Sequence, residues 1–218
     1  MKIFGTDFDG VIINIELQKA AAFGMIVEKE WGLSRDVVAK YWMATGGIGR
    51  RTKFDYFYHK RFGKDLSENE YLVIEKRFSD ELKNDYYPKV KLLPGALDLL
   101  RFIKDNFDFT FVSSGVPMEE INYLVNSLNL SEYFDLVLGT SNTYKSKSDH
   151  FREILADKNP DLLVFIADGA KDMEVAKEFG AKSVGILTNC PRKELQEAGA
   201  NVICNTTFDT IPIIKSWL

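Results

Sequence analysis

Six short runs of consecutive apolar residues punctuate the sequence, at positions 2–6, 109–113, 136–139, 162–167, 183–187 and 201–204, each closed by polar or Gly-rich turns. Runs such as LLVFIA and LVLG show no polar alternation, so both faces of each strand need cover, which is the condition of a parallel sheet with helices above and below. Between the later runs lie segments of helical period, at 95–106, 118–129, 148–157 and 170–180, and a last helix is expected near 207–217. Strand and helix in alternation predict an α/β fold, a Rossmann-like doubly wound parallel sheet with right-handed crossovers.

Residues 15–91 break the rhythm. They carry helical patterns, ELQKAAAFGMIVEKEW and YLVIEKRFSDEL, with no convincing strand, and they are rich in Tyr, Phe and Trp. A helical bundle inserted into the core, burying those rings, is expected there. The tract KVKLLPGALDLL, with Pro94 and Gly95, marks the return to the core. Two domains follow: a core of residues 1–14 and 92–218, and an α-helical cap of residues 15–91.

The chain of 218 residues has a formal net charge of -4 and lacks the basic stripe of a nucleic-acid binder. An anionic substrate must therefore be held locally, by a few cations, helix N-termini or a metal. No window reaches the roughly 18 apolar residues of a membrane span, and the N-terminus lacks the apolar stretch of an export signal. With two cysteines only, Cys190 and Cys204, read as small core residues, a reducing cytoplasm is the expected location.

Chemistry concentrates at the strand ends. Asp7 and Asp9 close the first strand, with Gly10 next, where an open α/β sheet binds its ligands. Paired carboxylates repel and are eased by a divalent cation. Asp168 follows the strand LLVFIA, Asp172 lies four residues on, and an all-oxygen donor set suits magnesium. Ser113 and Ser114 end the strand DFTFV, and Gly115, Val116 and Pro117 are expected to open a helix whose free N–H groups add donors for an anion. Lys145 and Lys147 stand just before a helix whose expected cap is Ser148, and either supplies positive charge. His59 and His150 are read as surface or helix residues without a role.

In order, DFDGV at 7–11, the serine after FTFV, the lysine of KSKSDHF and IADGAKD at 166–172 resemble the four motifs of the haloacid dehalogenase superfamily. The likeness spans the whole core and points to its phosphatase branch with a small α-helical cap, similar to phosphoglycolate phosphatases. It implies a magnesium-dependent phosphatase acting on a small phosphate monoester. Asp7 would attack phosphorus to form an aspartyl-phosphate, and Asp9 would act as general acid and then base. Asp7, the main-chain carbonyl of Asp9, and Asp168 would hold Mg2+, with Asp172 supporting the site or pairing with the lysine. The family patterns Ser-Asn-Gly-x-Pro and Lys-Pro-x-Pro-Asp-x-Phe rank Ser113 over Ser114 and Lys145 over Lys147. Ser114 and Gly115 would line the phosphate, and the cap loop TGGIGRRTKF would offer Gly47, Arg50 and Arg51 to the substrate.

Two departures stand out: Ile12, Ile13 and Asn14 follow DGV, and Ala167 precedes the metal Asp where Gly is frequent. A phosphomutase of the β-phosphoglucomutase type shares the same core and remains the alternative, and a non-catalytic binding protein is the alternative from another class. An acid at Asp9 argues against dehalogenation, since a halide leaves without a proton. The substrate and the oligomeric state stay open at this stage.

Overall fold

A computed structural model of the chain describes residues 1–46 and 48–218. The chain divides into two compact units, one of Met1–Asn14 with Lys91–Leu218 and one of Ile15–Val90.

The first unit is a six-stranded, all-parallel sheet of β1 (Lys2–Thr6), β2 (Phe109–Pro117), β3 (Leu136–Thr140), β4 (Leu162–Ala167), β5 (Lys182–Ile186) and β6 (Val202–Cys204). Its strand order is β3-β2-β1-β4-β5-β6. The order reverses between β1 and β4, which makes the crevice beyond their carboxyl ends the expected ligand site. Thr6 pairs with both Val112 of β2 and Ile166 of β4, so the residues after these strands emerge side by side. The apolar runs behave as anticipated, with Ile3, Phe4 and the stretch Val164, Phe165, Ile166 and Ala167 wholly buried. Gly5 makes room for the Phe111 ring, into which any Cβ would project, and that ring stacks on Phe165 with centroids 6.2 Å apart.

Helices that cover the sheet include α5 (Ala96–Asn106), α6 (Met118–Ser127), α7 (Lys147–Leu155), α8 (Ala170–Glu178), α9 (Arg192–Glu197) and α10 (Thr210–Lys215). The short α9 had no expectation attached to it; its six residues hold one buried apolar side chain, Leu195, too few for a period.

The second unit is helical: α1 (Glu16–Trp31), α2 (Arg35–Ala44), α3 (Arg50–Phe62) and α4 (Glu68–Glu81). Its aromatic residues form the core, with Phe23 against Trp42 at 4.9 Å, Phe54 at 4.6 Å and Phe78 at 5.8 Å. A capping box opens α4, Ser67 accepting from the Glu70 N–H while Glu70 accepts from the Ser67 N–H. Among the described residues no helix is long and apolar enough to cross a membrane.

Candidate active site

The first strand hands its last residues directly to the crevice. The Asp7 N–H still donates to the Ile166 carbonyl at 2.8 Å, which continues the β1 to β4 pairing and brings Asp7 beside the start of the DGAKD turn. Gly10 turns the chain with φ +74°, and an added Cβ there would collide with the Asp168 carboxylate. Both facts require glycine: the left-handed backbone disfavours a side chain, and the Asp168 approach leaves no room for one.

Asp7, Asp168 and Asp172 are all buried, and one carboxylate oxygen of each lies within 4.8 Å of the others. Asp172 sits in the first turn of α8, where the positive end of the helix dipole favours an acid. Lys147 Nζ bridges the group, 2.7 Å from Asp7 Oδ2 and 2.7 Å from Asp172 Oδ1. Asp168 Oδ2 accepts from the Asn189 side-chain amide at 2.7 Å, and Asp7 Oδ1 from the Phe8 N–H at 2.6 Å. The Thr188 hydroxyl donates to the Gly10 carbonyl at 2.6 Å, tying the loop after β5 to the turn after β1.

Three carboxylates face one ammonium, and the pKa values of Asp7 and Asp168 register it. Burial raises Asp7 to about 6, against the pull of Lys147 and with Asp172 adding to the rise. Asp168 is pushed well above the usual carboxylate range by burial, then by Asp7 and Asp172, with Asp9 contributing. Burial alone would depress Lys147, but Asp172 and Asp7 outweigh it and hold the ammonium charged. Buried negative charge in excess, presented by oxygen donors only, is the setting a hard divalent cation such as magnesium relieves. Asp7, Asp168 and Asp172 therefore fit such an ion.

The lysine beside the carboxylates is Lys147, not Lys145. Ser146, not Ser148, caps α7: its side chain accepts from the Asp149 N–H, and Asp149 accepts from the Ser146 N–H. The helix thus begins at Lys147, whose side chain turns to the carboxylates. Lys145 is exposed, and its backbone N–H is drawn to Asp149 Oδ2 at 2.9 Å.

The second motif also differs from expectation. Residues 113–117 do not open a helix; β2 runs on to Pro117 with an irregular register, and α6 starts at Met118. Pro117 disfavours helical backbone at Val116, which keeps the segment extended. The expected helix-start donors at Gly115 are therefore absent as such, and Gly115 is an exposed residue of the extended chain. Ser113 is fully buried and its hydroxyl lies 2.8 Å from His150 Nδ1. Ser114 accepts from the Val116 N–H at 3.3 Å.

Arg50 and Arg51 are engaged within the helical unit. Arg50 pairs with Glu75 at 3.0 Å and lies over the Phe78 ring. Arg51 pairs with Asp55 and Glu68, donates to the Leu66 carbonyl and lies over Tyr71. Gly47 lies outside the described residues. Asn189 and Thr188 carry no motif in the sequence, and His150, expected at the surface or in a helix without a role, is buried and bonded; the partners of all three are brought near by the fold alone.

Residues 1–180 match the haloacid dehalogenase-like hydrolases. A phosphorylated carbohydrates phosphatase from Thermotoga maritima is 24% identical over 200 residues, which cover 89% of each chain. Among solved structures, a predicted phosphatase from Clostridium acetobutylicum aligns with TM-score 0.80 at 21% identity, over 99% of this chain and 98% of that one. A Thermotoga maritima protein provisionally named a beta-phosphoglucomutase aligns with TM-score 0.74 at 22% identity over the whole of both chains. The structural likenesses establish the fold; the sequence match runs from β1 through α8 and takes in each acidic motif, so the chain belongs to the haloacid dehalogenase-like hydrolase family.

Proposed function

We propose that the protein is a magnesium-dependent phosphatase that hydrolyses a small phosphate monoester through a phosphoryl group carried on Asp7. The observation that carries this reading is Lys147 held 2.7 Å from both Asp7 and Asp172. That contact supports the reading: it fixes one oxygen of Asp7 beside a cation that would stabilise developing phosphoryl charge.

In this reading the Asp7 carboxylate attacks phosphorus and the ester P–O bond breaks. Asp9, half-buried two residues on, gives its proton to the leaving oxygen. As a carboxylate it then takes a proton from water, whose oxygen attacks phosphorus and frees Asp7 and inorganic phosphate. Asp7, Asp168 and Asp172 would hold magnesium, which when bound supplies positive charge against the phosphoryl oxygens. Asn189 would orient Asp168 through its amide. Lys147 would take the place that the family pattern suggested for Lys145, and Ser114 is favoured over Ser113 as a phosphate contact, because the Ser113 hydroxyl is held by His150 Nδ1 while the Ser114 oxygen accepts from the Val116 N–H.

The test is phosphate release from a panel of phosphomonoesters with magnesium, with EDTA, and with Asp7→Asn. Metal-dependent release that disappears in Asp7→Asn is expected. Release indifferent to Asp7 would sink the mechanism. Conversion of a sugar 1-phosphate into its 6-phosphate without free phosphate would instead establish a mutase.

A further inference from the structure

His150 is fully buried, although histidine at this position in the sequence reads as an ordinary helix residue. Both ring nitrogens are engaged: Nδ1 lies 2.8 Å from the Ser113 hydroxyl and Nε2 lies 3.1 Å from the Gly139 carbonyl. A carbonyl only accepts, so Nε2 carries the hydrogen. Burial lowers the imidazole pKa and keeps the ring neutral. Nδ1 is then a bare acceptor, and the Ser113 hydroxyl donates to it. The ring of Tyr144 meets the imidazole edge to face at 5.5 Å.

This chain of bonds ties one turn of α7 to two strands, β2 through Ser113 and β3 through Gly139. Lys147 precedes His150 by three residues, on the same side of that turn. Phe151, next along, is fully buried against Phe111 at 5.5 Å and Phe165 at 5.0 Å and seats the helix on the sheet, but the other polar restraints on the turn are local or exposed: the capping box lies within α7's own first residues, and Ser148 and Arg152 reach Glu178 at the surface. Ser113 in turn follows Val112, the partner of Thr6, and so stands level with Asp7.

We propose that His150 is a positioning residue, which fixes the first turn of α7 through Ser113 and Gly139 so that Lys147 Nζ stays between Asp7 and Asp172, and which takes the Ser113 proton away from the substrate. The kinetic half of its test rests on the phosphatase reading. The spectroscopic half does not.

Three substitutions separate the bonds. His150→Phe keeps ring volume and loses both; His150→Asn keeps an acceptor near Nδ1; His150→Gln keeps a donor near Nε2. In 15N-labelled protein the Lys147 ammonium, identified by its loss in Lys147→Met, is expected to give a signal protected from solvent exchange. That signal should vanish in His150→Phe and return in His150→Asn. On p-nitrophenyl phosphate with magnesium, His150→Phe should lower kcat by about tenfold, the scale of one buried hydrogen bond, with KM changed by less than about twofold. His150→Asn should recover most of the loss. Ser113→Ala, which leaves the Gly139 bond, should lower kcat by less than His150→Phe without raising KM, and combining the two should add nothing beyond His150→Phe. A folded His150→Phe that keeps the Lys147 signal and kcat overturns the proposal, as does a KM rise in Ser113→Ala. Should His150→Phe fail to fold, His150→Gln outperforming His150→Asn overturns it. If the unaltered protein releases no phosphate, the phosphatase reading fails while the Lys147 signal still decides this one.

Discussion

At the scale of single residues, Lys147 is the most exposed to test. Its ammonium is the cation that Asp7 and Asp172 share, and removing it would leave buried carboxylates facing one another. Lys147→Met is expected to lower phosphate release by at least about a hundredfold, as loss of one preorganised electrostatic contact does. Lys145→Met should stay within about twofold of the unaltered protein, because that side chain is exposed; the opposite ranking in kcat would return the role to Lys145. Asp7 and Asp168 were readable from sequence because each directly follows an apolar strand, and Asp172 because it stands four residues on, at the expected helix start. The lysine was not, since the choice depends on which serine caps α7. The spacing Ser146 to Asp149 is itself a capping-box pattern, and it marks Lys147 as the first residue of α7. His150 gave no signal at all, as its partners Ser113 and Gly139 lie 37 and 11 residues away.

Among the elements, the strands were legible because strands covered on both faces need uninterrupted apolar runs. The helices α2 and α3 were not, since RRTKFDYFYHKRF distributes charge and rings without a clean stripe and takes its burial from Phe23, Trp42 and Phe78 around it. Within α3, Lys53 is buried, its Nζ 3.8 Å from the centre of the Trp42 ring and 3.4 Å from the Trp42 carbonyl. Burial lowers its pKa to about 8; Glu16 opposes the shift, and Lys19 and Arg50 reinforce it. The folded form therefore binds this proton less tightly than the unfolded chain, whose lysine titrates near about 10.4. Stability contributed by this group must rise with pH between these two values. Urea midpoints at pH 7.5 and pH 10 should show a gain in the unaltered protein that is smaller or missing in Lys53→Met. Equal changes in the two would remove the buried charge from the explanation.

On the scale of the whole molecule, the helical unit is one continuous segment, Ile15–Val90, set into a core that supplies Asp7, Lys147, Asp168 and Asp172 by itself. The two ends of the core that flank the insertion in sequence pair with each other: Ile13 bridges Leu92 in antiparallel fashion, and the Leu93 N–H donates to the Ile12 carbonyl at 2.8 Å. Paired ends of this kind tolerate replacement of what lies between them. Substituting a short Gly/Ser linker for residues 15–90 is expected to leave a cooperative thermal transition with the α/β circular dichroism of the core. An aggregated or non-cooperative product would show that the sheet needs the helical unit to fold. The central place of β1 has a further consequence, for the order of events during synthesis. Its partners on either side begin at Phe109 and Leu162, so at about 5 to 20 residues per second the first strand leaves the ribosome many seconds before either neighbour exists. The helical segment, made in between and rich in near-neighbour contacts, can be complete while β1 still waits, and the turn after β1 is among the last parts of the nascent chain to acquire its shape.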